Sequence, residues 1–117
     1  MPERKGLYTV TLSNRPTVLG RAAVVGKKEG EGPLGHEFDV VFADARLGEK
    51  TWEKAESALQ KQALSRALDR AGLSPSQLQY LFAGDLLNQN IASTFGLRDM
   101  NVPLIGQFGA CSTMGQT

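Results

Sequence analysis

An α/β fold, a mostly parallel sheet with covering helices, is the class this 117-residue sequence predicts. Three features carry that expectation. Leu78 to Ala83 is a nearly unbroken apolar run, as in a central parallel strand covered on both faces, and the apolar run Val102 to Phe108 predicts a buried strand. A long stretch, Thr51 to Ala71, repeats apolar residues at helical spacing. The resulting order of strand, helix, strand, helix, strand is an α/β plan with right-handed crossovers.

Taken in order, Leu7 to Leu12 is rich in β-formers and predicts a short edge strand. Ser13-Asn14-Arg15-Pro16 is a turn signal. Thr17 to Val25 predicts a second strand, whose glycine and small residues imply a close approach by neighbouring backbone. Positions 26 to 35 hold four of the 13 glycines, and Gly26 to Asp39 is therefore expected to be a loop.

Thr51 can cap the long helix. Trp52, Ala55, Leu59, Ala63 and Ala67 share one face, and Leu64, Leu68 and Ala71 widen it. Gly72 ends it in the left-handed position. Ser74-Pro75-Ser76-Gln77 is a capping box with proline at the first helical position, so a single helical turn should follow. Leu86 to Phe95 has helical potential, with Gly96 as its stop. Pro103 marks the start of the last strand. No internal repeat is visible.

Composition narrows the function classes. Apolar residues make up 41% and charged residues 21%, ordinary for a globular domain. A net charge of +1 suggests neither a nucleic-acid binder nor an acidic tail. The single cysteine forms no internal disulfide, which fits a reducing compartment. The apolar stretches fall short of a membrane span, and the basic start, Met1 to Lys5, has no signal-peptide core behind it. Membrane contact would have to be peripheral.

The chemistry-bearing residues gather after the predicted strands, where open parallel sheets bind ligands. Asp85, Asn88 and Asn90 place a carboxylate and two amides just past one strand. Two readings stand for them: orientation of a small polar ligand, or an Asp85 helix cap with amides tying down the loop. Past the last strand, Cys111 and Ser112 begin a turn with helix-start chemistry. A thiol there is favoured as thiolate by the helix dipole, whereas the plainer reading is a small buried hydrophobe. A strand entering such an elbow needs a helix after it, and that helix is expected to be missing from this sequence. His36, the only histidine, is either a ligand or base, or a hydrogen-bonding surface residue. The stretch around it lacks phosphate-loop spacing, so nucleotide binding gets little support. No metal site or cofactor is expected.

Three motifs, Gly32-Pro33-Leu34-Gly35-His36-x-Phe38-Asp39, Ala83-Gly84-Asp85-Leu86-Leu87-Asn88-Gln89-Asn90 and Phe108-Gly109-Ala110-Cys111-Ser112-Thr113, resemble in order and spacing the amino-terminal part of the stage V sporulation protein AD family. The resemblance implies an incomplete thiolase-like fold, similar also to ketoacyl synthases, with residues 1–117 forming only its amino-terminal portion. It implies a spore protein that binds dipicolinic acid (pyridine-2,6-dicarboxylate). With the other SpoVA operon proteins it would support movement of that compound across the inner spore membrane, bound peripherally on the cytosolic side. In full-length form it implies a homodimer.

On this resemblance Cys111 matches the position of the thiolase nucleophile, and Asp85, Asn88 and Asn90 match the family's loop beside it. These four and Ser112 are the expected ligand-binding residues, and His36, a possible addition, matches its motif without an assigned role. An acyl-transferring enzyme using Cys111 is the alternative. Catalysis would need a histidine base from the second half of such a fold, since a cysteine without its partners is no Claisen-type catalyst. A binding protein on this scaffold is therefore the first expectation. The portion should expose apolar faces that the remainder of the fold would cover.

Overall fold

The computed structural model describes residues 2–117. It opens with an antiparallel hairpin, β1 (Glu3–Lys5) and β2 (Thr9–Thr11), in the register Glu3 with Thr11 and Lys5 with Thr9. The expected edge strand at Leu7 to Leu12 is thus half right. Gly6, at φ +70°, turns the chain, Leu7 and Tyr8 belong to that turn, and the pairing partner is the preceding Glu3–Lys5.

The predicted second strand pairs only at its end, β3 (Val24–Val25). The residues before it run extended across the last turns of the long helix. A side chain at Gly20 would collide with the Ala67 carbonyl, so the close approach expected there is present. The glycine-rich segment is more ordered than a loop. It holds a helical turn, α1 (Lys27–Gly30), and a 3₁₀ turn at Gly35–Glu37. Gly35 makes that compact, because any side chain there would strike the backbone of Gly30. Next comes β4 (Val40–Val41), parallel to β3, which the sequence reading did not anticipate.

The long helix is α2 (Trp52–Ala71), with Thr51 as N-cap accepting from the Lys54 N–H and Gly72 left-handed at its end. Both termini lie where the capping chemistry put them. The Ser74–Gln77 capping box is formed and closes the 3₁₀ turn Pro75–Gln77. Then come β5 (Leu81–Ala83), α3 (Ile91–Leu97), a 3₁₀ turn at Arg98–Met100, and β6 (Leu104–Gly106) parallel to β5. The chain finishes with a 3₁₀ turn, Ala110–Ser112, and α4 (Thr113–Gln116), so a first helical turn does follow Cys111.

The class is α/β, as the sequence predicts, but the two carboxyl-terminal strands are shorter and less covered. Leu81 is buried while its neighbour Phe82 is 50% exposed, and Ile105, paired with Phe82, is 39% exposed. One face of the β5–β6 ladder rests on the helices and the other is open, so these are not strands sheltered on both sides. Helix α3 also starts later than expected. Residues 86–90 form a loop, and Gly96 sits inside the helix, where a Cβ would lie 2.7 Å from that of Ser57. Gly96 is there to let α2 and α3 touch, not to stop α3.

The core is small. Among the described residues the buried apolar side chains are Ala55, Leu68, Leu81, Ala92 and Leu97, at the junction of α2, β5 and α3. The radius of gyration is 16.0 Å. A compact chain of this length would have about 13 Å. Leu7, Tyr8, Val18 and Leu19 are largely exposed near the amino terminus, and Phe108 and Met114 near the other end. Among the described residues no helix is long and apolar enough to cross a membrane.

Candidate functional site

The carboxyl ends of β3 and β5 open onto one cleft of about 600 Å³. Gly26 to Glu29 from α1 form one wall and Trp52, Ala55, Glu56 and Leu59 from α2 the floor; Gly84 to Leu87, just past β5, complete it. This is the end of a parallel sheet at which ligands bind. The loop after β5 is therefore both a wall of the cleft and the carrier of the amide-rich motif.

That loop is held by a closed polar network. Asp85 is 5% exposed, and both carboxylate oxygens are occupied. Oδ1 accepts the Leu87 N–H at 2.9 Å. Oδ2 accepts the Ser93 N–H at 2.7 Å and the Ser93 hydroxyl at 2.6 Å. The Asp85 N–H donates in turn to Asn90 Oδ1 at 3.1 Å. A buried carboxylate without a counter-cation survives only with such donors. Asn90 is itself nearly buried and left-handed, and it starts α3 by accepting from the Thr94 N–H.

Between these two anchors the backbone makes a left-handed turn through three consecutive non-glycine residues: Asn88 (φ +40°), Gln89 (φ +57°) and Asn90 (φ +68°). Asparagine tolerates this region better than most residues and glutamine has no such allowance. Asn88 and Gln89 are exposed, and among the described residues the Asn88 amide has no hydrogen-bond partner. Its donors are free.

Cys111 is exposed, in the 3₁₀ turn ahead of α4, so the reading as a buried small side chain does not hold. The Ser112 hydroxyl donates to the Gly109 carbonyl at 2.6 Å, and Thr113 Oγ1 accepts the Gly109 N–H at 3.1 Å. These bonds shape the turn locally. Two contacts join it to the amide loop. A side chain at Gly84 would collide with the Gln107 carbonyl and with Thr113. A Cβ at Gly106 would stand 3.1 Å from Asn90 Nδ2. Glycine at both positions lets the loop after β5 and the turn after β6 sit side by side.

His36 lies away from this network. Its Nε2 is 3.1 Å from the Glu37 carboxylate, and both side chains are largely exposed. Among the described residues no group of three His, Cys, Asp or Glu side chains is arranged to hold a metal ion.

Lys27, Lys28 and Trp52 line the cleft and were given no role by the sequence reading. Lys27 pairs with Glu31 at 3.7 Å, whereas Lys28 has no partner among the described residues. The Arg46 guanidinium lies over the Trp52 ring, 4.9 Å from its centre, adding a cation beside it. Of the three acids in the cleft, Asp85 is committed to its donors and Glu56 accepts from Gln60, while Glu29 has no side-chain partner among the described residues. The usable signal was position: Gly26-Lys27-Lys28 follows β3 as Gly84-Asp85 follows β5.

Comparison with known proteins bears on the whole chain. The family model for Stage V sporulation protein AD (SpoVAD) matches residues 6–117. The chain is 40% identical, over 100 residues, to Stage V sporulation protein AD of Bacillus subtilis (strain 168), an alignment covering 86% of this chain. It spans 30% of the length of that curated relative. With the match running through all three motifs and across both walls of the cleft, the chain belongs to the stage V sporulation protein AD family of sporulation proteins.

Proposed function

We propose that this chain supplies the ligand-binding corner of a sporulation protein that takes up dipicolinic acid. The observation that carries the reading is the adjacency of two turns, the Asp85–Asn90 loop and the Cys111 turn, locked through Gly84 and Gly106. A planar pyridine bearing two carboxylates needs donors and positive charge. The free Asn88 amide supplies donors on one side. Ser112 and the exposed thiol stand at the other turn. Lys28 lies in the cleft on the far side of Gly84 to Leu87; the lining of that cleft includes neither Asn88 nor Cys111, so Lys28 contributes charge at longer range. Asp85 does not meet the carboxylates. It holds the groups that do.

The corresponding partners are the other SpoVA operon proteins at the inner spore membrane, with the protein peripheral on the cytosolic side and paired as a homodimer on a thiolase-like scaffold. The test is calorimetric titration of the protein with dipicolinate. Cys111→Ala combined with Asn88→Ala is expected to abolish binding; affinity equal to that of the unsubstituted protein rules out this corner.

The exposure of Cys111 supports a second reading, an acyl-transferring enzyme with Cys111 as acyl carrier. It needs a general base, and the one histidine of the chain engages Glu37. A mass increase on Cys111 after incubation with an acyl-CoA is the result this reading requires.

A further inference from the structure

We propose that Ser93 is a positioning residue of the ligand corner: through Asp85 it holds the left-handed turn that presents Asn88. The inference rests on the dipicolinate reading and adds a residue that neither the motifs nor the cleft lining includes. Ser93 is fully buried in the first turn of α3. A serine inside a helix usually faces solvent or bonds back to the carbonyl four residues earlier. Here its hydroxyl and its N–H both donate to Asp85 Oδ2, eight residues back.

That double donation fixes the carboxylate, the second oxygen of which fixes Leu87. The Asp85 N–H to Asn90 bond closes the loop from the other side. Between the anchors the chain reaches Asn90 through three consecutive positive φ angles, at Asn88, Gln89 and Asn90 itself. Such a conformation in non-glycine residues persists only where its surroundings over-determine it. The Ser93 hydroxyl is the component that can be removed without touching the loop, the cleft or the thiol. Without it Asp85 Oδ2 keeps a single donor, the turn relaxes toward ordinary backbone, and Asn88 loses its fixed place.

The test compares Ser93→Ala and Ser93→Cys with the unsubstituted protein by dipicolinate titration, thermal melting and backbone amide exchange over residues 86–90. Ser93→Ala is expected to weaken dipicolinate about ten-fold. It should speed exchange most over 86–90 and lower the melting temperature by less than Asp85→Ala does, since one of the three donors is lost. Ser93→Cys, keeping a weak S–H donor, should recover part of the affinity. Unchanged affinity, or faster exchange spread evenly through α3 with none concentrated over 86–90, overturns the positioning role. Failure of the unsubstituted protein to bind dipicolinate overturns the reading of function instead; the exchange over 86–90 then decides alone whether Ser93 holds the turn.

Discussion

Two carboxylates each secure one parallel strand pair, and they do so by opposite means. Asp39, beside β4, accepts the Ala23 N–H at 2.7 Å and pairs with the Arg70 guanidinium near the end of α2. Arg70 also donates to the Arg21 carbonyl, so the extended segment, β4 and α2 meet at one ion pair, half open on the arginine side. Asp85, beside β5, makes no ion pair among the described residues and is buried among N–H and O–H donors. The first device is adjustable by solvent and salt; the second is an all-or-none polar core. The loop proposed to meet the ligand rests on the second kind, and a buried, fully satisfied network admits few alternative shapes.

The comparison breaks most sharply at Asp85. Asp85→Ala strands three donors, two of them in the buried Ser93, and is expected to cost about 2–3 kcal/mol in chemical denaturation. Gly84→Val comes next. Its side chain would drive the Gln107 carbonyl and Thr113 apart, an overpacking cost of about 1–3 kcal/mol, with loss of dipicolinate binding as the loop and thiol turn separate.

The Asp39 device should respond less, and to pH. The Ala23 N–H holds the Asp39 carboxyl below the usual carboxylate range, aided by Arg70 against the opposing effect of desolvation. A carboxyl whose folded pKa is depressed stabilises the fold above its unfolded pKa, and that stabilisation is lost as pH falls through the folded value. Asp39→Asn should therefore lower the melting temperature at neutral pH and flatten its fall below about pH 4. Raising salt should erode the Arg70 contribution and leave the Asp85 network untouched. Smallest of all, Lys28→Ala should leave stability unchanged and weaken dipicolinate a few-fold, since a cation on an open wall acts mainly through screened attraction.

Much of the helical framework was legible because capping chemistry is local. Thr51, Gly72 and Ser74–Gln77 each act within a few residues, and each does what its sequence context dictates. The strands were legible in place but not in length. Apolar runs mark where a strand lies, while pairing depends on which partner is present, and Val40–Val41 carries no pattern of its own. Burial was overread at Phe82 and Ile105 for the same reason, since an apolar residue reports an affinity for cover, not the cover itself.

Within the candidate corner, Asp85 and the two asparagines stood out by position and residue type. What the sequence withheld was the division of labour. Asp85 and Asn90 face inward as anchors, whereas Asn88 faces solvent, because the left-handed turn between them rotates alternate groups apart. A run of three left-handed residues lacks a glycine to announce it, and Ser93 reads as an ordinary helix residue until the fold brings it under Asp85.

The turn at Asn88–Gln89 has its supports entirely behind it, in Asp85, Asn90 and Ser93. Its two exposed side chains can therefore be exchanged while the scaffold beneath stays intact. On the proposed reading, exchanging that pair of fingertips changes which acid is accepted and leaves the knuckle as it is.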